Sequence, residues 1–234
     1  MCQLTTKQYV KSTKYFKLTM IKKIVCVALC IATLSAGAKP KSIGIQGGMN
    51  YSNMYSPFNL SPGLSNNFAI TIQKYKNKYV FFETGVALDQ AAVIDKLITD
   101  PTGNVIQNAE ITTTSSYISV PLIVGFKTGG KFFVYTKLGV TPSVFLSWNQ
   151  ELNINNSSIS LASFKYSPSL KISPTAEVGF GKMFGSRFAI TVGSKINYQL
   201  YSVYDKSTFV TDGKYFYKSL SANIGFHFFI KRME

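Results

Sequence analysis

Hydrophobic and polar residues alternate with a period of two along the chain beyond Lys39, which is the pattern of β-strands. In the segment 132–148 the even positions are mostly apolar, and the odd positions are mostly small, polar or charged. No segment sustains a helical period. Four segments show the alternation clearly: 132–148, 170–180, 188–200 and 220–228. Four others show it less cleanly: 42–52, 67–75, 79–89 and 113–126. The sequence therefore predicts an all-β domain of eight strands.

The connections between these segments alternate between short and long. Tight turns are expected at 76–78, 128–130 and 185–186, and longer stretches lie near 53–66, 90–112, 149–165 and 203–214. Short turns at one end and long loops at the other are typical of outer-membrane barrels. Several segments approach the roughly 9–11 residues with which a tilted strand crosses a bilayer. We predict an eight-stranded antiparallel up-and-down transmembrane β-barrel with both termini on the periplasmic side.

Alternation alone does not distinguish a membrane barrel from a soluble sandwich, which buries its apolar face. The aromatic residues favour the membrane barrel. Phenylalanines gather near the short turns, and tyrosines and Trp148 gather toward the long loops. Two aromatic bands on either side of an apolar belt suit the two lipid–water interfaces. The alternative is that these aromatics belong to an ordinary core.

The first 38 residues have the features of an export signal. Met20–Lys23 is basic, Ile24–Leu34 is apolar, and Ala36–Ala38 supplies small residues for a signal peptidase. The apolar run is shorter than the roughly 20 residues of a spanning helix. We expect residues 1–38 to be an extension and a cleavable signal peptide, with Met20 as an alternative start, and 39–234 to be the barrel domain. A short buried helix is the other interpretation.

Charge and cysteine content narrow the classes of function. The chain has a net charge of +15, but residues 1–38 hold six lysines and no acid. Without them, 19 basic residues face 10 acidic residues, a net charge of +9. Because the predicted leader exports the chain, we do not expect nucleic acid as a partner. All three cysteines precede residue 38, so the barrel has no disulfide, thiolate nucleophile or cysteine-ligated metal.

Short motifs in three of the segments resemble those of the PorT-like family of outer-membrane β-barrels, relatives in architecture of the OmpA and OmpX barrels. They are 117–122, 138–140 and the last strand, 219–229. The resemblance implies a location in the outer membrane of a Gram-negative bacterium and an accessory role in protein secretion. The last strand also looks like the aromatic-ended signal that the barrel assembly machinery reads, carried by Gly225, Phe226, Phe228 and Phe229. Five residues, 230–234, follow Phe229, although such strands usually end at the last aromatic residue.

Five ionisable residues lie on the faces that we assign to the lumen: Glu83, Lys137, Lys171, Glu177 and Lys195. The interior of an eight-stranded barrel is only wide enough for its own side chains to fill. Charges inside it must pair or stay hydrated. We expect Glu83 and Glu177 to pair with the lysines and to plug the lumen. The alternative is a narrow, gated polar path.

A second group of basic residues lies at or beside the predicted short turns: Lys74, Lys76, Lys78, Lys127, Lys131, Lys182, Arg187, Lys231 and Arg232. This periplasmic rim would meet anionic headgroups or cell-wall polymer, or serve only as a solvated edge. His227 is the sole histidine, and no serine and acid stand out as its partners. We therefore expect no catalysis and no cofactor or metal. The expected partners are outer-membrane lipid, the barrel assembly machinery and an envelope or surface protein.

Overall fold

A computed structural model of the chain describes residues 42–55, 60–96, 98, 109–154, 157–164, 170–200 and 216–230. The predicted signal peptide lies outside these ranges. All described strands belong to one unit, Pro40–Glu234. They are β1 (Ser42–Tyr55), β2 (Ser61–Tyr75), β3 (Val80–Asp95), β4 (Ala109–Ser119), β5 (Leu122–Lys127), β6 (Phe132–Ile154), β7 (Ser157–Phe164), β8 (Leu170–Phe184), β9 (Phe188–Tyr198) and β10 (Phe216–Phe229). No helix in the described part of the chain is long and apolar enough to cross a membrane.

The strands close into an antiparallel ring. β1 pairs with β2 on one side and with β10 on the other, where Ser42 faces Phe229 and Tyr55 faces Phe216. β4 and β5 both lie between β3 and β6 and share one place in the ring. β7 and β8 share another, because both pair with β6. The ring therefore has eight positions, and the predicted eight-stranded up-and-down barrel is confirmed.

The break between β4 and β5 lies at Val120 and Pro121, inside a segment that we predicted as one strand. Proline has no backbone N–H and cannot donate to the ladder of a central strand. The N–H of Val120 instead donates to the carbonyl oxygen of Pro142 at 2.8 Å. This contact keeps the two halves beside β6, so the ring stays closed across the break.

The polarity of the barrel is the reverse of that of a soluble protein. Apolar side chains point outward, as shown by Leu138 (53% exposed) and Phe180 (64% exposed). Inward positions on the same strands are buried and polar, such as Lys137 and Glu177. We call the outward apolar surface the apolar belt: Ile43, Ile45, Phe68, Ile70, Phe82, Val86, Leu88, Phe126, Phe132, Val134, Leu138, Val140, Val178, Phe180, Phe188, Val192, Ile196, Leu220, Ile224, Phe226 and Phe228.

Much of the predicted loop sequence is strand instead. β3 continues to Asp95 and β4 begins at Ala109, and β6 and β7 form a hairpin through most of 149–165. Most of 53–66 is likewise strand, since β1 ends at Tyr55 and β2 begins at Ser61. These extensions lack a sustained alternation of apolar and polar residues, and backbone pairing does not require an apolar face, so the pattern does not reveal them. The predicted loop at 203–214 lies outside the described residues.

Two aromatic clusters occupy the lower and upper parts of the lumen. The lower cluster, toward the short turns, contains Tyr75, Phe81, Phe133, Tyr135, Ala189 and Phe229. The upper cluster, toward the long loops, contains Ala91, Val93, Tyr117, Phe145 and Tyr217, with Leu60 and Trp148 packed against it. The polar part of the lumen lies between the two.

Gly125 makes room for the lower cluster. A Cβ atom at Gly125 would meet the Cζ and Cε atoms of the Phe81 ring. We expect Gly125→Ala to displace this buried ring and to lower the free energy of unfolding by about 1–3 kcal/mol. Urea-induced unfolding of the purified protein measures the change.

Gly47 provides the matched control, because a Cβ atom there would lie 3.8 Å from the nearest atom, the Asn67 carbonyl oxygen. We expect Gly47→Ala to change the free energy of unfolding by no more than about 0.5 kcal/mol. Equal losses in the two variants would contradict the assigned role of Gly125.

Candidate functional site in the barrel interior

Three of the five predicted lumen charges meet in the middle of the barrel. The Nζ atom of Lys137 lies 3.1 Å from Oε2 of Glu83 and 3.3 Å from Oε1 of Glu177, and all three side chains are 2% exposed. Glu177 faces Lys137 directly across the β6–β8 pairing, and Glu83 comes from β3. We call these three residues the central charge network.

Both carboxylates also accept a hydrogen bond from a neutral side chain. Nε2 of Gln73 donates to Oε2 of Glu83 at 2.7 Å, and the hydroxyl of Tyr135 donates to Oε1 of Glu177 at 2.8 Å. Oε1 of Gln73 in turn accepts from the hydroxyls of Ser42 (3.0 Å) and Tyr75 (2.8 Å). Each buried carboxylate thus has a cation and a hydrogen-bond donor, which buried charges require.

Lys171 does not join the central charge network, contrary to our expectation. It precedes Glu177 by six residues on β8, a rise of about 20 Å along the strand. Its Nζ atom lies 3.8 Å from the centroid of the Tyr117 ring, with the rings of Phe145 and Tyr217 at 5.6 Å and 5.9 Å. Alternation placed Lys171 on the correct face but did not determine its height in the barrel.

Lys195 pairs with a residue that we did not predict. Its Nζ atom lies 3.4 Å from Oδ1 of Asp89. Asp89 has the same inward parity on β3 as Glu83, so the alternation would have revealed it had the pattern been followed to the end of the segment. The lumen therefore holds a second ion pair above the central charge network.

Lys127 faces the lumen and does not belong to the exposed rim. Its Nζ atom lies 4.6 Å from the centroid of the Tyr75 ring, 5.1 Å from that of Phe133 and 5.3 Å from that of Phe229. Lys127 shares its parity with Ile123 and Gly125, both of which point inward. Closeness to a turn suggested the rim, but the parity of β5 decides the direction.

The remaining described rim residues are Lys74, Lys76, Lys78, Lys131, Lys182 and Arg187. All but Lys74 are exposed, and Lys74 is half-buried on the outward register of β2. The Lys182 ammonium lies 5.0 Å from the centroid of the Phe132 ring and 5.2 Å from that of Phe184. Lys231 and Arg232 lie outside the described residues.

The predicted assembly signal divides between the two faces of β10. Phe226 and Phe228 point outward into the apolar belt, whereas Gly225 and Phe229 point into the lumen. Phe229 is 1% exposed and packs against Tyr75, with ring centroids 5.9 Å apart. Phe229 therefore belongs to the lower aromatic cluster, and Phe228 is the last outward aromatic of the strand.

His227 is buried in the lumen near the lower cluster. Its Nε2 atom lies 3.3 Å from Oγ1 of Thr191. No group of three or more His, Cys, Asp or Glu side chains among the described residues is arranged to hold a metal ion. The position of His227 on the inward face follows from the parity of β10.

The described residues line two small cavities in the lumen. The upper cavity, of about 60 Å³, is lined by residues that include Lys171, Asp89 and Asn197. The lower cavity, of about 20 Å³, is lined by residues that include Lys127, Lys137 and His227. One water molecule needs about 10–15 Å³ of such space, so the upper cavity has room for several waters and the lower for one.

Several solved structures resemble this chain. Outer membrane protein OprG from Pseudomonas aeruginosa is 15% identical, with a TM-score of 0.45, and the match covers 82% of this chain and 97% of OprG. Ail from Yersinia pestis, in complex with a heparin analogue, is 13% identical, with a TM-score of 0.39 and coverage of 81% and 100%. Neisserial surface protein A is 11% identical, with a TM-score of 0.37 and coverage of 78% and 95%.

No family model and no curated protein matches the sequence. The resemblance to the PorT-like family therefore has no support from these comparisons. The assignment of the fold rests on the strand pairing and on the polarity of the two faces described above.

Proposed function

We propose that the protein is an integral outer-membrane β-barrel of a Gram-negative bacterium, with a structural or binding role and a plugged interior. The observation that carries the proposal is the reversed polarity of the barrel, with an apolar belt outside and an ion-paired network inside. Apolar surface of this extent at all eight positions of the ring requires an apolar surrounding. A hydrocarbon bilayer supplies one.

The borders of the apolar belt support this proposal. Among the described residues, outward charges lie only toward the two ends of the barrel, such as Lys74 and Lys182 near the short turns and Lys218 near the long loops. Lys182 lies over the rings of Phe132 and Phe184, and Lys218 lies 5.4 Å from the centroid of the Tyr198 ring. Aromatic rings and lysines that reach past them toward water are typical of the two membrane interfaces. We propose that the short-turn end, with its basic rim, the start of β1 and the end of β10, faces the periplasm.

The long-loop end is the surface that we propose for binding an envelope or surface partner. Above the apolar belt, β3, β4, β6 and β7 continue as a paired sheet. Its side chains include many hydroxyl and amide groups, among them Thr112, Thr114, Asn149, Asn153 and Ser158. A paired sheet of this kind presents many hydrogen-bonding groups at regular spacing. No catalytic step is assigned to the buried His227.

We expect the folded protein to be silent in single-channel recordings across a planar bilayer. The central charge network and the two aromatic clusters lie in the lumen, and we expect them to interrupt any continuous aqueous path. The shift of the folded band on a gel after heating serves as the control for folding. Reproducible conductance steps that change in Glu83→Gln or Lys137→Gln would contradict the plugged interior.

A narrow solute path is the second candidate, and the two cavities above and below the central charge network favour it. The same recordings decide between the two. An accessory role in protein secretion rests on the PorT resemblance alone. Co-purification of a periplasmic or inner-membrane protein that is lost when the rim lysines are removed would support that role. Phe226 and Phe228 are the outward aromatics that we propose the barrel assembly machinery meets.

A further inference from the structure

We propose that the upper cavity is a binding site for a small monovalent anion of the chloride type, with Lys171 as its cation. The Lys171 side chain is 2% exposed and lines this cavity. Its Nζ atom has no hydrogen-bond partner in the described part of the chain. A buried ammonium group without a partner is very costly, so an anion that enters the cavity is strongly favoured.

The aromatic rings around Lys171 hold the ammonium group without neutralising it. The Tyr117 ring lies closest, at 3.8 Å from Nζ to the ring centroid, and Phe145 and Tyr217 flank it. The negative face of an aromatic ring attracts a cation, but the ring brings no net charge. The positive charge therefore remains available to an anion on the cavity side.

The cavity offers a polar lining and sufficient space. Hydroxyl and amide groups surround it, from Ser119, Ser143, Ser173, Ser219, Asn197 and Gln199. The Asp89 carboxylate also lines it, but this carboxylate lies 3.4 Å from the Lys195 ammonium and is compensated by it. A volume of about 60 Å³ holds a monatomic anion together with one or more waters.

The charges of the described lumen residues divide unevenly along the barrel. The central charge network has two carboxylates and one ammonium group, a net charge of −1. Lys171 and Asp89 line the upper cavity, and Lys195 pairs with Asp89, so these three residues carry a net charge of +1. The two regions lie about six residues apart along β8, so the central carboxylates do not compensate Lys171 directly. An anion of charge −1 neutralises the upper cavity.

Trp148 allows the proposal to be tested by fluorescence. It is the single tryptophan of the chain, and it packs against the upper aromatic cluster that holds Lys171. Bromide quenches indole fluorescence, so bromide bound beside this cluster should quench Trp148. The experiment titrates sodium bromide into the purified full-length protein in detergent, with the bulkier gluconate keeping the ionic strength constant.

We expect saturable quenching of Trp148 that added chloride reverses. In Lys171→Met the saturable part should be lost, leaving only quenching that rises linearly with bromide concentration. Lys127→Met is the matched control, because Lys127 also lies among three aromatic rings but beside a cavity of only about 20 Å³. This variant should keep the saturable response.

Linear quenching in the unaltered protein, or saturable quenching that survives in Lys171→Met, would overturn the proposal. A second measurement needs no variant: crystals grown with bromide should show an anomalous peak beside Nζ of Lys171. Absence of that peak at bromide concentrations that saturate the fluorescence would also overturn it. The plugged interior is tested separately, since the conductance recordings do not depend on this site.

Discussion

Lys137→Met should lower the free energy of unfolding by about 3–5 kcal/mol, the largest loss that we expect from a single lumen residue. The substitution removes the cation that lies between Glu83 and Glu177, at 3.1 Å and 3.3 Å. Two carboxylates then remain buried at 2% exposure, close to each other and without a counter-charge. Urea-induced unfolding in detergent, followed by Trp148 fluorescence and by gel mobility, measures the loss.

Two controls separate charge from packing in this experiment. Glu83→Gln should cost less than Lys137→Met, because Lys137 keeps Glu177 as its partner and the amide still accepts a hydrogen bond. The triple variant Lys137→Met, Glu83→Gln, Glu177→Gln should recover much of the lost stability, because it leaves no uncompensated charge. If the triple variant were as unstable as Lys137→Met, the loss would come from packing and not from the unpaired carboxylates.

Leu138→Arg is the second substitution with a large expected effect, about 2–4 kcal/mol of lost stability in a lipid bilayer. Leu138 lies on the outward face of β6, midway along the apolar belt, and is 53% exposed. An arginine there would place its charge in hydrocarbon if the belt crosses a membrane. Urea-induced unfolding from phospholipid vesicles measures the change.

The control for Leu138→Arg lies on the polar extension above the belt. Ser158 on β7 is exposed, and Ser158→Arg should change the stability by no more than about 0.5 kcal/mol. In a water-soluble barrel a half-exposed arginine at position 138 would cost little. Equal stability of the two variants in vesicles would therefore contradict the proposed membrane location.

Alternation of period two was sufficient to predict the fold class and the face of most lumen residues. Glu83, Lys137 and Glu177 point inward as expected, because successive side chains of a strand must point to opposite sides. The same rule places Asp89 and Lys127 in the lumen. We assigned Lys127 by its closeness to a turn, and the parity of β5 would have been the better guide.

The extensions of the strands show a limit of this reasoning. The β6–β7 hairpin and β4 are rich in serine, threonine and asparagine, and we predicted much of the hairpin and the start of β4 as loop. Hydrogen bonds between backbones hold these strands together. Those bonds are the same for every residue except proline, so the side chains give little indication of where such strands extend.

The sequence by itself determined that the chain forms strands, how many the barrel has and which face of each is apolar. Only the tertiary structure decided which residues meet across the lumen. Lys137 and Lys171 share an inward face, yet one lies between two carboxylates and the other lies among three aromatic rings. Closure of the ring sets the tilt and register of every strand together. The height of a side chain in the lumen therefore depends on all eight positions of the ring and cannot be predicted from the sequence of any single segment.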